Sequence, residues 1–130
     1  MTVGIASGIA DNILDALCRS VAWSEPVAFY VKLHLGDPGA AGAGSPAVET
    51  TRKAVTFSAS SGGAITNSAD VTWTSVSTTE TYSHVSFWDA ASAGTFLGSD
   101  DLAVSRSVTA GDTFTIASGD LDITITAIAA

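Results

Sequence analysis

Cations, cysteines and long apolar runs are all scarce in this chain, and each scarcity removes a class of function. Only 5 Lys and Arg residues stand against 13 Asp and Glu in 130 residues, a formal charge of -8. The five are Arg19, Lys32, Arg52, Lys53 and Arg106, of which only Arg52 and Lys53 are adjacent. Phosphate backbones and anionic bilayers are gripped by several cations on one face, so neither nucleic acid nor a membrane is an expected partner. The single cysteine, Cys18, rules out an internal disulfide and a Cys-only zinc site. Lying in an apolar stretch, it reads as a small buried hydrophobe, and the usage suits a reducing cytosol. No 18-residue apolar run and no basic leader occur, so neither a transmembrane helix nor a signal peptide is expected.

Charge of either sign is low, at 14% of residues against about 25% in ordinary domains. Its place is taken by 17 Ser and 16 Thr. The 46% hydrophobic content supports a core and argues against disorder. The length predicts one domain over residues 1–130.

Hydrophobic spacing then divides the chain. In residues 7–18, Ile9, Ile13, Leu14 and Leu17 recur at helical spacing, with Ser7 placed as an N-cap and Asp11 near the positive end of the dipole. Trp23 and Pro26 mark the exit. After them the period becomes two. Val27, Phe29, Val31, Leu33 and Leu35 alternate with Ala28, Tyr30, Lys32 and His34. Residues 36–51 form a Gly/Ala/Pro-rich loop, expected to be mobile. Shorter strands are predicted over 53–57, 69–74, 82–89, 95–98, 112–117 and 121–127. Within them Val55 pairs with Phe57, Val71 with Trp73, Val85 with Phe87, and Phe114 with Ile116. Leu121, Ile123 and Ile125 share one face of the last strand. Asp100-Asp101 is expected to end the 95–98 strand. Short strands with regular turn signals predict a mainly β fold, an antiparallel β-sandwich of jelly-roll-like type with one N-terminal α-helix.

Catalytic chemistry finds little footing. A triad could be drawn from Ser83 or Ser86 with His84 and Asp89. However, neighbours on a strand point to opposite faces, and no Gly-x-Ser-x-Gly elbow is present. His34 and His84 are the only histidines and lie far apart in sequence, so no zinc set is proposed. The C-terminal aspartates lack EF-hand spacing. No Walker lysine accompanies the glycine runs. No catalytic residue, metal or cofactor is therefore expected. Trp88 is out of phase with Val85 and Phe87, so it lies on the polar-phase side of its strand with His84. Trp88, His84 and Tyr30, together with Ile9, Ile13 and Leu17 of the helix stripe, are the interface or ligand candidates. Trp73 is expected in the core.

As a set, the motifs resemble a known family. Leu33-His34-Leu35-Gly36-Asp37-Pro38-Gly39 resembles the "LHTADPG" signature of small tailed-phage virion proteins, labelled phage tail fibre or minor tail proteins. The similarity continues through residues 52–57, 63–67, His84-Val85-Ser86-Phe87-Trp88-Asp89-Ala90 and Val108-Thr109-Ala110-Gly111-Asp112-Thr113-Phe114. This chain departs from the pattern at Gly36 and carries Ser86 where Gly is commoner. The resemblance implies a non-enzymatic structural protein located in the virion and assembled in the host cytoplasm. It would work as a tail fibre, minor tail or capsid-decoration component by oligomerising and docking on the particle. Its partners would be further copies of itself, with a trimer expected by analogy, other phage structural proteins and a host surface glycan. The competing readings are a carbohydrate-binding adhesion module using Trp88 and Tyr30, and a small hydrolase using Ser83, Ser86 and His84.

Overall fold

The computed structural model describes residues 3–125. In chain order its elements are β1 (Gly4–Ile5), α1 (Ser7–Arg19), β2 (Tyr30–His34), β3 (Lys53–Ala54), β4 (Ala64–Thr66), β5 (Val71–Trp73), β6 (Glu80–Trp88), β7 (Phe96–Val108), β8 (Phe114–Ile116) and β9 (Asp122–Thr124). Among the described residues the fold is mainly β with a single helix near the N-terminus. A five-stranded sheet runs in the order β1-β7-β6-β2-β3, and two-stranded pairs β4-β9 and β5-β8 complete the structure. Every pairing is antiparallel.

Register explains the two faces of the large sheet. Val31 lies opposite Phe87 and Leu33 opposite Val85, so period two puts these four apolar side chains on one side. The β5-β8 pair sets Val71 against Ile116 and Trp73 against Phe114. Phe114 then meets Tyr82 of the large sheet at 5.0 Å between ring centroids, and Trp73 at 5.8 Å. These residues, with Val55, Val76, Leu97, Val108 and Leu121, form one buried cluster. Burying each large side chain is worth about 1.5–3 kcal/mol, which is what holds the layers face to face.

The strand expected over 27–35 is shorter than its apolar spacing. It begins at Tyr30, opposite the last residue of β6. Val27 has no strand partner and is fully exposed, and Leu35 is also exposed. Phe29 stays packed, edge-on to Phe57 at 4.9 Å and tilted against Phe87 at 5.1 Å.

The largest difference is β7. Asp100-Asp101 does not end it, and the strand runs 13 residues to Val108. Pairing steps from His84↔Asp101 to Tyr82↔Arg106, so two residues of β6 span five of β7. This bulge re-phases β6, which lets Tyr82 share the core with Val85.

The helix also differs in detail. Its N-cap is Ala6, with no side-chain cap bond, and the first turn holds no acidic residue; Ser7 and Asp11 do not play the roles expected of them. Ser20, left-handed at φ 56°, stops it. No helix residue is buried, and Cys18 is exposed, contrary to its apolar neighbourhood. The helix is held by the chain before it. Ala6 donates its N–H to Leu97 O, and β1 runs so close to Gly98 that a Cβ there would lie 2.6 Å from the Gly4 carbonyl oxygen.

The 36–51 segment is pinned at both ends. Leu35 N–H donates to Ser45 O, Gly44 N–H to Pro38 O, and Ala47 N–H to Leu33 O. The Glu80 carboxylate accepts the N–H groups of Val48 and Glu49. Pro38, Gly42 and Ala47 are buried. The final strand covers Asp122–Thr124, with Leu121 buried before it and Ile125 exposed after it; the end of the expected 121–127 strand lies outside the described residues. Among the described residues no helix is long and apolar enough to cross a membrane.

Candidate functional site

The outer face of the large sheet gathers most of the polar candidates. Tyr30 pairs with Trp88, Lys32 with Ser86, and His34 with His84, so β2 and β6 place all six side chains on the side away from the core. The two histidines, 50 positions apart in sequence, are thus cross-strand neighbours. The 36–51 loop folds over part of this face and buries His34 and Ser86 completely.

Beneath the loop runs an ordered polar chain. His34 Nδ1 lies 2.7 Å from Gly44 O, and His34 Nε2 lies 2.7 Å from Ser86 Oγ. Trp88 Nε1 donates to the same Ser86 Oγ at 2.8 Å. A neutral imidazole satisfies every member: Nδ1–H donates to Gly44, Ser86 donates to Nε2, and Ser86 accepts from Trp88. Burial pushes the His34 pKa below its ordinary 6.5, and the nearby Lys32 and His84 charges push the same way against the Gly44 hydrogen bond. The buried Ser-His pair is therefore a structural contact that no substrate reaches.

Trp88 itself is half-buried. The Arg52 guanidinium carbon sits 4.2 Å from its ring centroid, and Phe96 lies 5.4 Å away on a tilted plane. Arg52 also donates to Ala90 O at 2.9 Å and Ala93 O at 2.6 Å, so it closes the turn after β6 while stacking on the indole. Tyr30 is half-buried beside them.

Ser83 and His84, expected to point apart, are hydrogen-bonded at 2.8 Å from Oγ to Nδ1. The cause is the break in register between Tyr82 and His84, which suspends strict alternation. That contact occupies the imidazole nitrogen an orienting carboxylate takes in a serine triad. Among the described residues no group of three or more metal-ligating side chains is assembled.

The helix candidates separate into two sets. Ile9 packs against the core cluster and Ile13 is half-buried. Leu14 and Leu17 are 56% and 77% exposed. Leu14 lies on the same stripe and belongs with Leu17.

A pH prediction follows from two shifted groups. His34 is neutral in the fold and ionises in the unfolded chain below 6.5, so its contribution is complete above 6.5 and is lost as pH falls. Asp100 works oppositely. Burial, with Asp101 and Asp122 nearby, pushes its carboxyl from 3.8 to about 6, so its penalty appears as pH rises through that interval. In wild type the two slopes oppose each other. In Asp100→Asn, stability from urea unfolding is expected to rise with pH over the interval just below 6.5, by at most about 1.4 kcal/mol per unit for one proton, and then level off. A stability that falls over that range in the variant would contradict the assignment.

No curated protein matches the chain. A family model does: the family described as Podophage GP4 fiber I protein gp80 matches residues 4–124. The match covers the helix, both faces of the large sheet and the two small strand pairs. An ordered β body with a sealed Ser-His pair and an unburied helix stripe therefore sits within a lineage of phage structural proteins, and the chain belongs to the podophage GP4 fiber I protein gp80 family.

Proposed function

We propose that the chain is a non-enzymatic fibre module that self-associates through α1 and docks on the tailed-phage particle, after assembly in the host cytoplasm. Membership of a fibre family supports its location in the virion and its association with other phage structural proteins. The observation that carries self-association is α1. It has an apolar stripe, yet none of its 13 residues is buried. Leu14 and Leu17 stand in solvent, and Val21 just beyond the helix is exposed too. Contiguous apolar surface of this kind is covered in a working protein, and each leucine buried yields about 1.5–3 kcal/mol. Packing of like helices around a symmetry axis covers it, with three copies as the number expected by analogy with the resembled tail-fibre proteins. A capsid-surface position is an alternative to the tail for the same module.

Sedimentation equilibrium of the full chain tests this. Wild type is expected to be a trimer, and Leu14→Glu with Leu17→Glu to be a monomer with an unchanged circular dichroism spectrum. A wild-type monomer at high concentration would overturn self-association. Mass spectrometry of purified particles lacking this chain would overturn the virion role.

Host-glycan adhesion is the second reading, favoured by Tyr30 and Trp88 standing side by side on an outer face. Arg52 covering the indole ring works against it, because a sugar would need that face. Glycan-array binding that is lost in Trp88→Ala would support it.

A further inference from the structure

A second surface lies on the other side of the large sheet, where β1 and the start of α1 leave a gap to β9. This groove encloses about 680 Å³, a volume in the range of pockets that accept sizeable apolar groups. Its floor is apolar and includes Ile5, Ile9, Phe29, Phe87, Leu97 and Ile123. Its rim is acidic, since Asp100 and Asp101 of β7 and Asp120 and Asp122 near β9 also line it. Among the described residues no lysine or arginine contributes to the lining. Among the described residues the only ion pair is Arg19–Asp15, on the helix surface.

We propose that this groove docks a segment of another virion protein in which an apolar side chain is flanked by lysine or arginine. Charge complementarity selects that occupant. Four carboxylates around an apolar floor repel one another and lose hydration on burial unless cations arrive with the ligand. Burial against the apolar wall, with the Asp101 and Asp122 charges adding to it, holds the Asp100 carboxyl up to about 6 in spite of the Asp101 N–H that it accepts. A second copy of the chain is a poor occupant. It carries a charge of -8, and of its five cations Arg19 is paired with Asp15 and Arg52 is engaged with Ala90, Ala93 and Trp88, which leaves Lys32, Lys53 and Arg106, no two of them adjacent in sequence. The inference rests on the virion-protein reading for the source of the segment, but the chemistry of the groove can be tested apart from it.

The test is fluorescence anisotropy on the full chain, with two labelled synthetic peptides of equal length, one alternating Leu and Lys and the other alternating Leu and Glu. The Leu-Lys probe is expected to bind and the Leu-Glu probe not to bind. Asp101→Asn with Asp122→Asn is expected to weaken binding about tenfold or more, while Asp11→Asn with Glu25→Gln, an equal charge change elsewhere, leaves it within about twofold. Ala103→Trp, which fills the groove without altering charge, is expected to weaken it as well. Equal losses in the two charge variants, no effect of Ala103→Trp, or no binding of the Leu-Lys probe would each overturn the proposal. Absence of the chain from purified particles would instead overturn the virion reading and leave these binding results standing.

Discussion

Asn67→Asp, a change of one NH₂ to an oxygen, is expected to destabilise the protein by about 3 kcal/mol or more at neutral pH. Asn67 is 1% exposed, and its amide makes four hydrogen bonds. Its Nδ2 donates to Ala69 O at 2.9 Å and Ala117 O at 3.0 Å. Its Oδ1 accepts the N–H groups of Gly119 and Leu121, both at 2.9 Å. The full donor and acceptor capacity of the side chain is thus in use. An aspartate keeps the two accepted bonds but turns a charged oxygen toward two carbonyl oxygens. Protonation lets that oxygen donate to one of them, so the introduced carboxyl has a raised pKa. Its penalty is largest above that pKa and is relieved as pH falls. Urea unfolding of Asn67→Asp should therefore show a deficit relative to wild type that shrinks on acidification. Asn67→Ala should show a deficit of similar size, from stranded backbone groups of about 1–3 kcal/mol each, with no such pH dependence. A deficit in Asn67→Asp that does not change with pH would show that the carbonyls do not face this atom.

The consequence reaches beyond stability. Asn67 holds the 117–121 turn, whose Gly119 and Asp120 line the acidic groove and whose Leu121 enters the core. Loosening that turn is expected to displace the carboxylate at Asp120.

Local pattern was enough for elements whose side chains report their own burial. Val71 with Trp73 and Phe114 with Ile116 alternate visibly, and each pair is buried where period two puts it. The helix emerged from spacing alone, within one residue of its C-terminal end. Strand β7 did not, for a physical reason. From Asp101 to Ser107 all but one of its residues are exposed, so no alternation is written into them. Their extended state comes from pairing with β6, which is a non-local fact. The same distinction runs through the site. Period two already put His84 and Trp88 on one side of a strand. That β2 lies beside β6, bringing Tyr30 to Trp88 and His34 to the neighbourhood of Ser86, depends on strand order and register, which local spacing does not encode. Asn67 carried almost no signal, because a polar residue between turn signals reads as loop; only the family resemblance across residues 63–67 touched it. Cys18 misled in the opposite sense. An apolar stripe states that a face wants cover, without stating whether the same chain supplies it.

His34→Ala should show how much of the outer face depends on one imidazole. The expected loss is about 3 kcal/mol, made up of a vacated buried volume and two abandoned partners. Gly44 O loses its donor, and the Ser86 hydroxyl loses its acceptor. Ser86→Ala should cost less, about 1–3 kcal/mol, because it removes only a hydroxyl and strands His34 Nε2 and Trp88 Nε1–H. The two residues share a bond, so the double variant should be less unstable than the sum of the singles by about 0.5–3 kcal/mol. Amide exchange gives the spatial readout. In His34→Ala, Leu35, Gly44 and Ala47, whose N–H groups donate within or beside the loop, should exchange faster. The Val71 and Ile116 amides in the opposite layer should keep wild-type protection relative to global unfolding. Loss of the loop anchor should also free Gly42 from the Phe96 ring it abuts and expose more of Trp88, the residue on which the adhesion reading depends. Strictly additive single variants, or unchanged exchange at Gly44, would mean that the 36–51 loop is held by its backbone bonds and Glu80 alone.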